Sequence, residues 1–171
     1  MKKSFRIFST DNAIELETIA DDDLEMIRKW KNENRYAFFY DKIITPEEQE
    51  QWYKGYLERE DDFILIIELN SIKVGCLGFR LLEDSVDIYN VILGHKGYGS
   101  KGVMSRASQI LYSYIIDNYN RTIELKVLAN NNTAINWYKK NGFFETGNQD
   151  NFINLKLDIN KLKYECYNLK F

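Results

Sequence analysis

Residues Val127–Phe143 read VLANNNTAINWYKKNGF, and this stretch is the most informative part of the chain. The Val-Leu pair ends a predicted strand that begins at Thr122. Three asparagines then lead into a short predicted helix, Thr133 to Lys140, as expected for a residue type that favours turns and helix N-termini. The pair Phe143-Phe144 begins another strand.

A glycine-rich turn lies upstream of this stretch and joins another strand to another helix. The strand runs from Val86 to Leu93, the turn from His95 to Gly102, and the helix begins at Val103. Backbone N–H groups at a helix N-terminus have no internal partners and bind phosphate, and glycine lets an anion approach the backbone. The pattern predicts a phosphate or pyrophosphate ligand, and a glycine turn without a ligand is the alternative.

Two common nucleotide-binding motifs are excluded at this turn. Gly97, Gly99 and Gly102 satisfy the spacing GxGxxG, but a dinucleotide-binding unit needs an acidic residue at the end of the next strand. Glu124 lies near the start of that strand instead. A P-loop is excluded because no Gly-Lys-Ser/Thr sequence closes the turn.

The rest of the chain predicts an α/β (α+β) fold with a mixed, largely antiparallel sheet of about seven strands and helices on both faces. Thr45-Pro46-Glu47-Glu48 has the sequence of a capping box with proline at the first helical position. We expect one domain over residues 1–171. The other predicted elements are a strand at Ile14–Ile19, a helix starting near Asp21–Asp23, a hairpin of Phe63–Ile67 with Lys73–Phe79, and a last strand with Ile153, Leu155, Leu157 and Ile159 alternating.

Composition narrows the function classes. The 171 residues are 44% hydrophobic and 29% charged with a formal charge of −3, which argues against a nucleic-acid-binding surface. No stretch approaches the roughly 20 apolar residues of a membrane span, so we expect a cytoplasmic protein. Cys76 and Cys166 indicate neither a zinc site nor a disulfide framework, and Cys76 is predicted to be buried. We therefore expect no metal.

The segment from Val127 to Phe143 resembles the GNAT signature V-L-x-x-N-x-x-A-I-x-x-Y-x-K-x-G-F. The resemblance implies the acyl-CoA N-acyltransferase fold, acetyl-CoA as acetyl donor and a tyrosine acid, Tyr138. Trp30-Lys31-Asn32, Ile44–Glu48 and Trp52-Tyr53 are similar to two branches of the family. One branch acetylates the N-termini of ribosomal proteins, and the other acetylates nucleotide-linked amino sugars.

The family's pyrophosphate loop, Q/R-x-x-G-x-G/A, fits this chain in two registers. A motif starting at Lys96 places Lys101 at the last small position, whereas one starting at Gly99 makes Gly102 the essential glycine, and we prefer the second. The resemblance assigns acetyl-CoA binding to Val91, Ile92, Leu93, Gly99, Ser100, Lys101, Gly102, Val103, Met104, Ser105, Asn131, Ala134 and Tyr138.

The resemblance also assigns roles, each with an alternative. Tyr138 is the expected acid for the departing thiolate, because a phenol keeps its proton at pH 7; otherwise its ring only packs against the sheet. Asn131 either donates a hydrogen bond to the pantetheine arm or forms only the N-terminal turn of a helix. Some relatives carry a glutamate in the strand before the asparagine, but Lys126 occupies that place here, so Asp87, Glu124 and a water chain are the candidates for the base. His95 is expected to be an exposed loop residue.

The function predicted from these residues is transfer of an acetyl group from acetyl-CoA to a primary amine, on a small molecule or a peptide. A small molecule such as a nucleotide-linked amino sugar is preferred, because the chain shows no basic patch for ribosomal RNA. A ribosomal-protein-type N-terminal acetyltransferase and a non-catalytic acyl-CoA-binding sensor are the alternatives. Oligomeric state is not predicted. The aromatic residues between Tyr36 and Tyr53 are expected to cover the acceptor side or to fill the core.

Overall fold

The computed structural model describes residues 2–171, so Met1 lies outside the described residues. The α-helices are α1 (Leu24–Glu33), α2 (Pro46–Glu58), α3 (Val103–Tyr119) and α4 (Asn132–Lys140). The strands are β1 (Arg6–Ser9), β2 (Ile14–Thr18), β3 (Asp62–Leu69), β4 (Ile72–Leu81), β5 (Ser85–Leu93), β6 (Thr122–Leu128), β7 (Phe143–Asn148), β8 (Phe152–Leu157) and β9 (Tyr167–Lys170).

The strands of residues 2–171 form one nine-stranded sheet in the order β7-β8-β6-β5-β4-β3-β2-β1-β9. Only β5 and β6 pair in parallel, which confirms the predicted mixed, largely antiparallel sheet. The sheet has more strands than the seven expected, because β1 and β9 also belong to it. They pair with each other from Arg6↔Lys170 to Ser9↔Tyr167, and each is too short to show an alternating pattern in the sequence.

Helices cover both faces of the sheet, as predicted. The interior strand β3 shows why: Phe63, Leu65 and Ile67 pack in the core beneath α3 and α4. Ile64 and Ile66 point the other way and pack with α1 and α2. A segment buried on both faces has no position that faces solvent, which accounts for the continuous apolar run from Phe63 to Ile67.

Local expectations were confirmed at three places and wrong at one. The capping box forms, with Glu48 N–H donating to Thr45 Oγ1 at 3.2 Å and Thr45 N–H donating to Glu48 Oε2 at 2.8 Å. Cys76 is a buried free thiol, and His95 is exposed. Ile159 does not continue the last predicted strand: β8 ends at Leu157, where the Asp158 side chain accepts from Asn160 N–H and turns the chain into a 3₁₀ helix.

Within residues 2–171, no helix combines the length and the apolar character that a membrane crossing requires.

Gly55 lies inside α2, and an alanine there should stabilise the protein. A Cβ at this position would meet only the Arg59 guanidinium, at 3.6 Å, which is an ordinary contact. Gly55→Ala should therefore raise the free energy of unfolding by about 0.5–1 kcal/mol, because the unfolded chain loses freedom. Urea denaturation measures the change, and a lower midpoint would contradict it. Gly75→Ala is the opposite control and should destabilise the protein, since its Cβ would clash with the Ile92 carbonyl oxygen.

Candidate active site

The two parallel strands at the centre of the sheet separate towards their C-terminal ends. β5 and β6 are paired at Ser85↔Thr122, Val86↔Ile123 and Asp87↔Glu124, and not beyond. A bulge in β5 lies at the point of divergence: Tyr89 pairs with Gly78 and Ile92 with Cys76, so one more residue lies on β5 than on β4. Asn90 in this bulge has a positive φ of 49°. Because a bulge bends its strand, it opens a gap between β5 and β6.

The bulge also determines which backbone groups face the gap. Gly94 N–H donates to Val74 O on β4 at 2.9 Å. Peptide groups alternate in direction along a strand, so the N–H of Ile92 also points towards β4. The N–H of Leu93 then points towards the gap.

The glycine-rich turn ends at the N-terminus of α3 with no side-chain cap. Gly102 is the N-cap residue and has φ of 74°, and a Cβ added there would meet no atom within 4 Å. Ser100 also has a positive φ, 59°. The first N–H groups of a helix have no intrahelical partner, so the amides from Val103 to Ser105 are left for a ligand.

Asn131 caps helix α4 at the end of β6. Its Oδ1 accepts from Ala134 N–H at 3.1 Å, which is the helix-terminal role considered in the sequence analysis. Its Nδ2 makes no hydrogen bond to residues 2–171 and can still donate to a ligand. The capping bond fixes the direction of that amide, so the two roles are compatible.

Tyr138 lies on α4 and is 8% exposed. Its ring makes edge contacts with Trp137 and Phe143, so it does pack within the core. Burial raises the pKa of its phenol, and Tyr112 and Asp87 raise it further. The hydroxyl has no hydrogen-bond partner within residues 2–171 and is not fully enclosed, unlike the hydroxyl of Tyr112. Tyr138 therefore keeps its proton, and its hydroxyl can donate a hydrogen bond to a bound group.

The family comparison follows this geometry closely. Residues 14–144 match the acetyltransferase (GNAT) domain family. The chain belongs to the GNAT acetyltransferase family. This match includes β2 through the start of β7, and with them the gap, the glycine-rich turn and Tyr138.

One curated relative shows low sequence identity to this chain. The uncharacterized protein MJ1062 of Methanocaldococcus jannaschii is 26% identical over 140 residues, which are 80% of this chain and 29% of that protein. The chain thus spans less than a third of the length of this curated relative.

Solved structures of other GNAT proteins share the fold. FdhC, a nucleotide-linked sugar GNAT, has a TM-score of 0.75 at 16% identity and covers 95% of this chain and 94% of its own. RimL, a ribosomal L7/L12 α-N-protein acetyltransferase in complex with coenzyme A, has a TM-score of 0.72 at 14% identity, with coverage of 88% and 96%. The spermidine N-acetyltransferase SpeG of Vibrio cholerae has 0.70 at 16%, with coverage of 85% and 93%.

In this GNAT domain the two candidate bases are neighbours. Asp87 and Glu124 pair across β5 and β6, and both line a cavity of about 530 Å³ on the α1–α2 side of the sheet. Desolvation raises the pKa of Asp87, although Arg80, 3.7 Å away, opposes the effect. Arg80 is shared with the buried Asp62, which also accepts from Tyr89.

A second cavity, of about 310 Å³, lies on the same side of the GNAT sheet between α1 and α2. Of the aromatic residues expected on the acceptor side, Tyr40 and Trp52 line this cavity and Phe39 lines the larger one, whereas Tyr53 is buried in the core. Three polar residues that line the cavity between α1 and α2 were not recognised as a site from the sequence: Lys31, Gln49 and Asn90. These residues come from α1, α2 and the β5 bulge, and no linear motif unites them.

Proposed function

We propose that this protein transfers the acetyl group of acetyl-CoA to a primary amine on a small molecule, as a single N-acetyltransferase domain. The observation that carries this proposal is the gap between β5 and β6. The helix after β5 begins with an uncapped N-terminus, and the helix after β6 carries the Tyr138 hydroxyl. Acetyl-CoA would supply the activated acetyl thioester.

The residues that would hold the coenzyme come from three elements. The amides from Ser100 to Ser105 would bind the diphosphate, because oriented N–H groups and the helix dipole favour anions. Lys101 adds a positive charge beside them. Asn131 Nδ2 would donate to the pantetheine arm. The N–H of Leu93 would donate to the carbonyl oxygen of the thioester as negative charge develops there, whereas the N–H of Ile92 is directed towards β4.

The chemistry needs one proton to leave the amine and one to reach sulfur. The amine nitrogen forms a bond with the acetyl carbon, and the carbon–sulfur bond breaks. Tyr138 would donate its proton to the departing thiolate. Asp87 would accept the proton of the amine, directly or through water, because its raised pKa makes it a stronger base than an exposed carboxylate.

The size of the acceptor cavities favours a small molecule over a protein N-terminus. The cavities of about 310 and 530 Å³ match the range of small-molecule sites. The chain's charge of −3 also gives no reason to expect a ribosomal surface as partner. Relatives of this fold act on sugars, proteins and spermidine by name, so the fold leaves the acceptor open.

Thiol release from acetyl-CoA across a panel of small amines and N-terminal peptides tests the proposal. We expect release with at least one small amine and much less with peptides. Binding of acetyl-CoA without release on any acceptor would support a sensor instead. Absence of acetyl-CoA binding would reject both.

Asp87→Asn should separate catalysis from stability. Turnover should fall by about ten- to a hundredfold. Loss of a general base usually lowers the rate by about 10²–10⁴, and we expect a smaller effect because the adjacent Glu124 can accept part of the proton flux. The raised pKa means that the folded state disfavours the Asp87 charge, so the asparagine should not lower the free energy of unfolding at pH 7.

The pH profile supplies the second readout for Asp87. In the wild type, activity should fall as pH decreases through the raised pKa of Asp87, and this limb should change in Asp87→Asn. Unchanged turnover with an unchanged acid limb would remove Asp87 from the mechanism. Thermal unfolding of both proteins at pH 7 controls for structural damage.

A further inference from the structure

Lys31 is a half-buried residue whose ammonium group has no counter-ion within residues 2–171. Its Nζ donates to Asn90 Oδ1 at 2.6 Å and lies 4.9 Å from the centroid of the Phe38 ring. No carboxylate of residues 2–171 forms an ion pair with it. Burial lowers its pKa. Cys76 does not compensate the charge, because burial raises the pKa of that thiol to about 12 and keeps it neutral.

Gln49 points to the same cavity with an unused amide. The residue is only 6% exposed, and its side chain makes no hydrogen bond within the described chain. Its amide atoms are nonetheless not fully enclosed, so they open into the cavity. Buried polar groups without partners are rare in folded proteins because they cost free energy. The amide is therefore placed for a partner that enters from outside.

The other lining groups leave this pair free for a ligand. The carboxylate of Glu48, which also lines the cavity, accepts from Thr45 N–H in the capping box. Tyr40 supplies a phenol, and Ile27, Ile44 and Trp52 supply apolar walls. Apolar surroundings lower the effective dielectric constant and strengthen the attraction between an ammonium and a bound anion.

We propose that this cavity, named here the α1–α2 cavity, binds the amine acceptor through an anionic group, a carboxylate or a phosphate, held by Lys31 and Gln49. The proposal rests on the proposed acetyl transfer. Asn90 links the cavity to the reaction site, because it lines the cavity and stands in the bulge just before Val91. An acceptor anchored there would extend its amine towards the gap between β5 and β6.

The positive charge of Lys31 also predicts which acceptors are rejected, because the one lining carboxylate within residues 2–171, Glu48, is exposed and already accepts from Thr45 N–H. A polyamine carries no anionic group, and its ammonium groups would meet the positive charge of Lys31. Spermidine should therefore be a poor acceptor, although a spermidine acetyltransferase shares the fold. Electrostatics of the lining, rather than the fold, would set the acceptor class.

Matched acceptors test the anionic group directly. The pairs are glucosamine 6-phosphate with glucosamine, and phenylalanine with phenylalanine amide, so one pair probes a phosphate and the other a carboxylate. We expect kcat/KM to favour the anionic member of at least one pair by about ten- to a hundredfold, the value of one or two charge-assisted hydrogen bonds. Spermidine should be used no better than the neutral members.

Variants assign the preference to the cavity. Lys31→Met should abolish the preference, because kcat/KM should fall much more for the anionic member of a pair than for the neutral one, and Lys31→Arg should restore part of it. Gln49→Leu should weaken it. Lys29→Met is the matched control, because Lys29 lies on the same helix with a 63% exposed side chain paired with Glu25. It should keep the full preference.

Two results would overturn the proposal. One is a wild type that uses both members of each pair equally; the other is a Lys31→Met variant that loses rate on both members alike, which indicates a structural or proton-transfer role. Calorimetric binding of the four amines, in the presence of coenzyme A, gives a readout without turnover. Lys31-dependent binding without acetyl transfer would reject the proposed function but support the anion site. Acetyl transfer without a preference for the anionic acceptors would support the proposed function but reject the anion site.

Discussion

Tyr138→Phe is expected to lower kcat by about 10²–10⁴, the range for loss of a general acid or base. The phenylalanine keeps the ring contacts with Trp137 and Phe143 and removes only the hydroxyl. Without that proton the thiolate must leave as an anion. Because the hydroxyl has no partner within the described residues, its removal should change the fold and the affinity for acetyl-CoA little. Single-turnover thiol release and calorimetric binding of acetyl-CoA measure the two quantities.

Tyr112→Phe is the matched control for this experiment. Tyr112 is 1% exposed, lies on α3, and contacts the same Phe143 ring. Its hydroxyl is fully enclosed and does not reach a ligand. Turnover in this variant should match the wild type. Equal turnover in Tyr138→Phe would show that Tyr138 only fills the core.

Gly102→Val should weaken acetyl-CoA binding by more than about a hundredfold. A valine at φ of 74° is strained, since a β-branched side chain is disfavoured in the left-handed region. Relief of this strain would rotate the amides that follow, and each lost hydrogen bond to a charged phosphate costs about 1.5–3 kcal/mol. The side chain would also occupy the open space in front of the α3 N-terminus.

Binding of coenzyme A and of pantetheine, which has no phosphate, distinguishes a loss of diphosphate binding from a general disruption of the fold. Only the first carries the diphosphate, so its affinity should fall and that of pantetheine should not. Gly97→Ala is the control, because Gly97 does not have a positive φ and its nearest neighbour is the flexible His95 ring at 3.3 Å. An unchanged coenzyme A affinity in Gly102→Val would remove the turn from the binding site.

Strong local signals predicted most elements to within a few residues. The β6 bounds, Thr122–Leu128, and the start of α3 at Val103 agree with the sequence expectation, because an alternating strand and a glycine turn are local features. The capping box at Thr45 and Glu48 is equally local. The prediction that Ile159 belongs to the last strand was wrong. The alternation of apolar residues continues past Leu157, but the Asp158 side chain accepts from the backbone N–H of Asn160 and the strand ends.

The amino-acid order was sufficient to identify the family, the alternation of strands and helices, and the turn at Gly102, since each depends on residues that are neighbours in the chain. The folded arrangement was needed for the pairing of β1 with β9, the separation of β5 from β6 and the α1–α2 cavity. These features bring together residues far apart in the chain, such as Lys31, Gln49 and Asn90. The chemistry of these three residues depends on how far each is buried and on the distances between them, and a linear motif specifies neither.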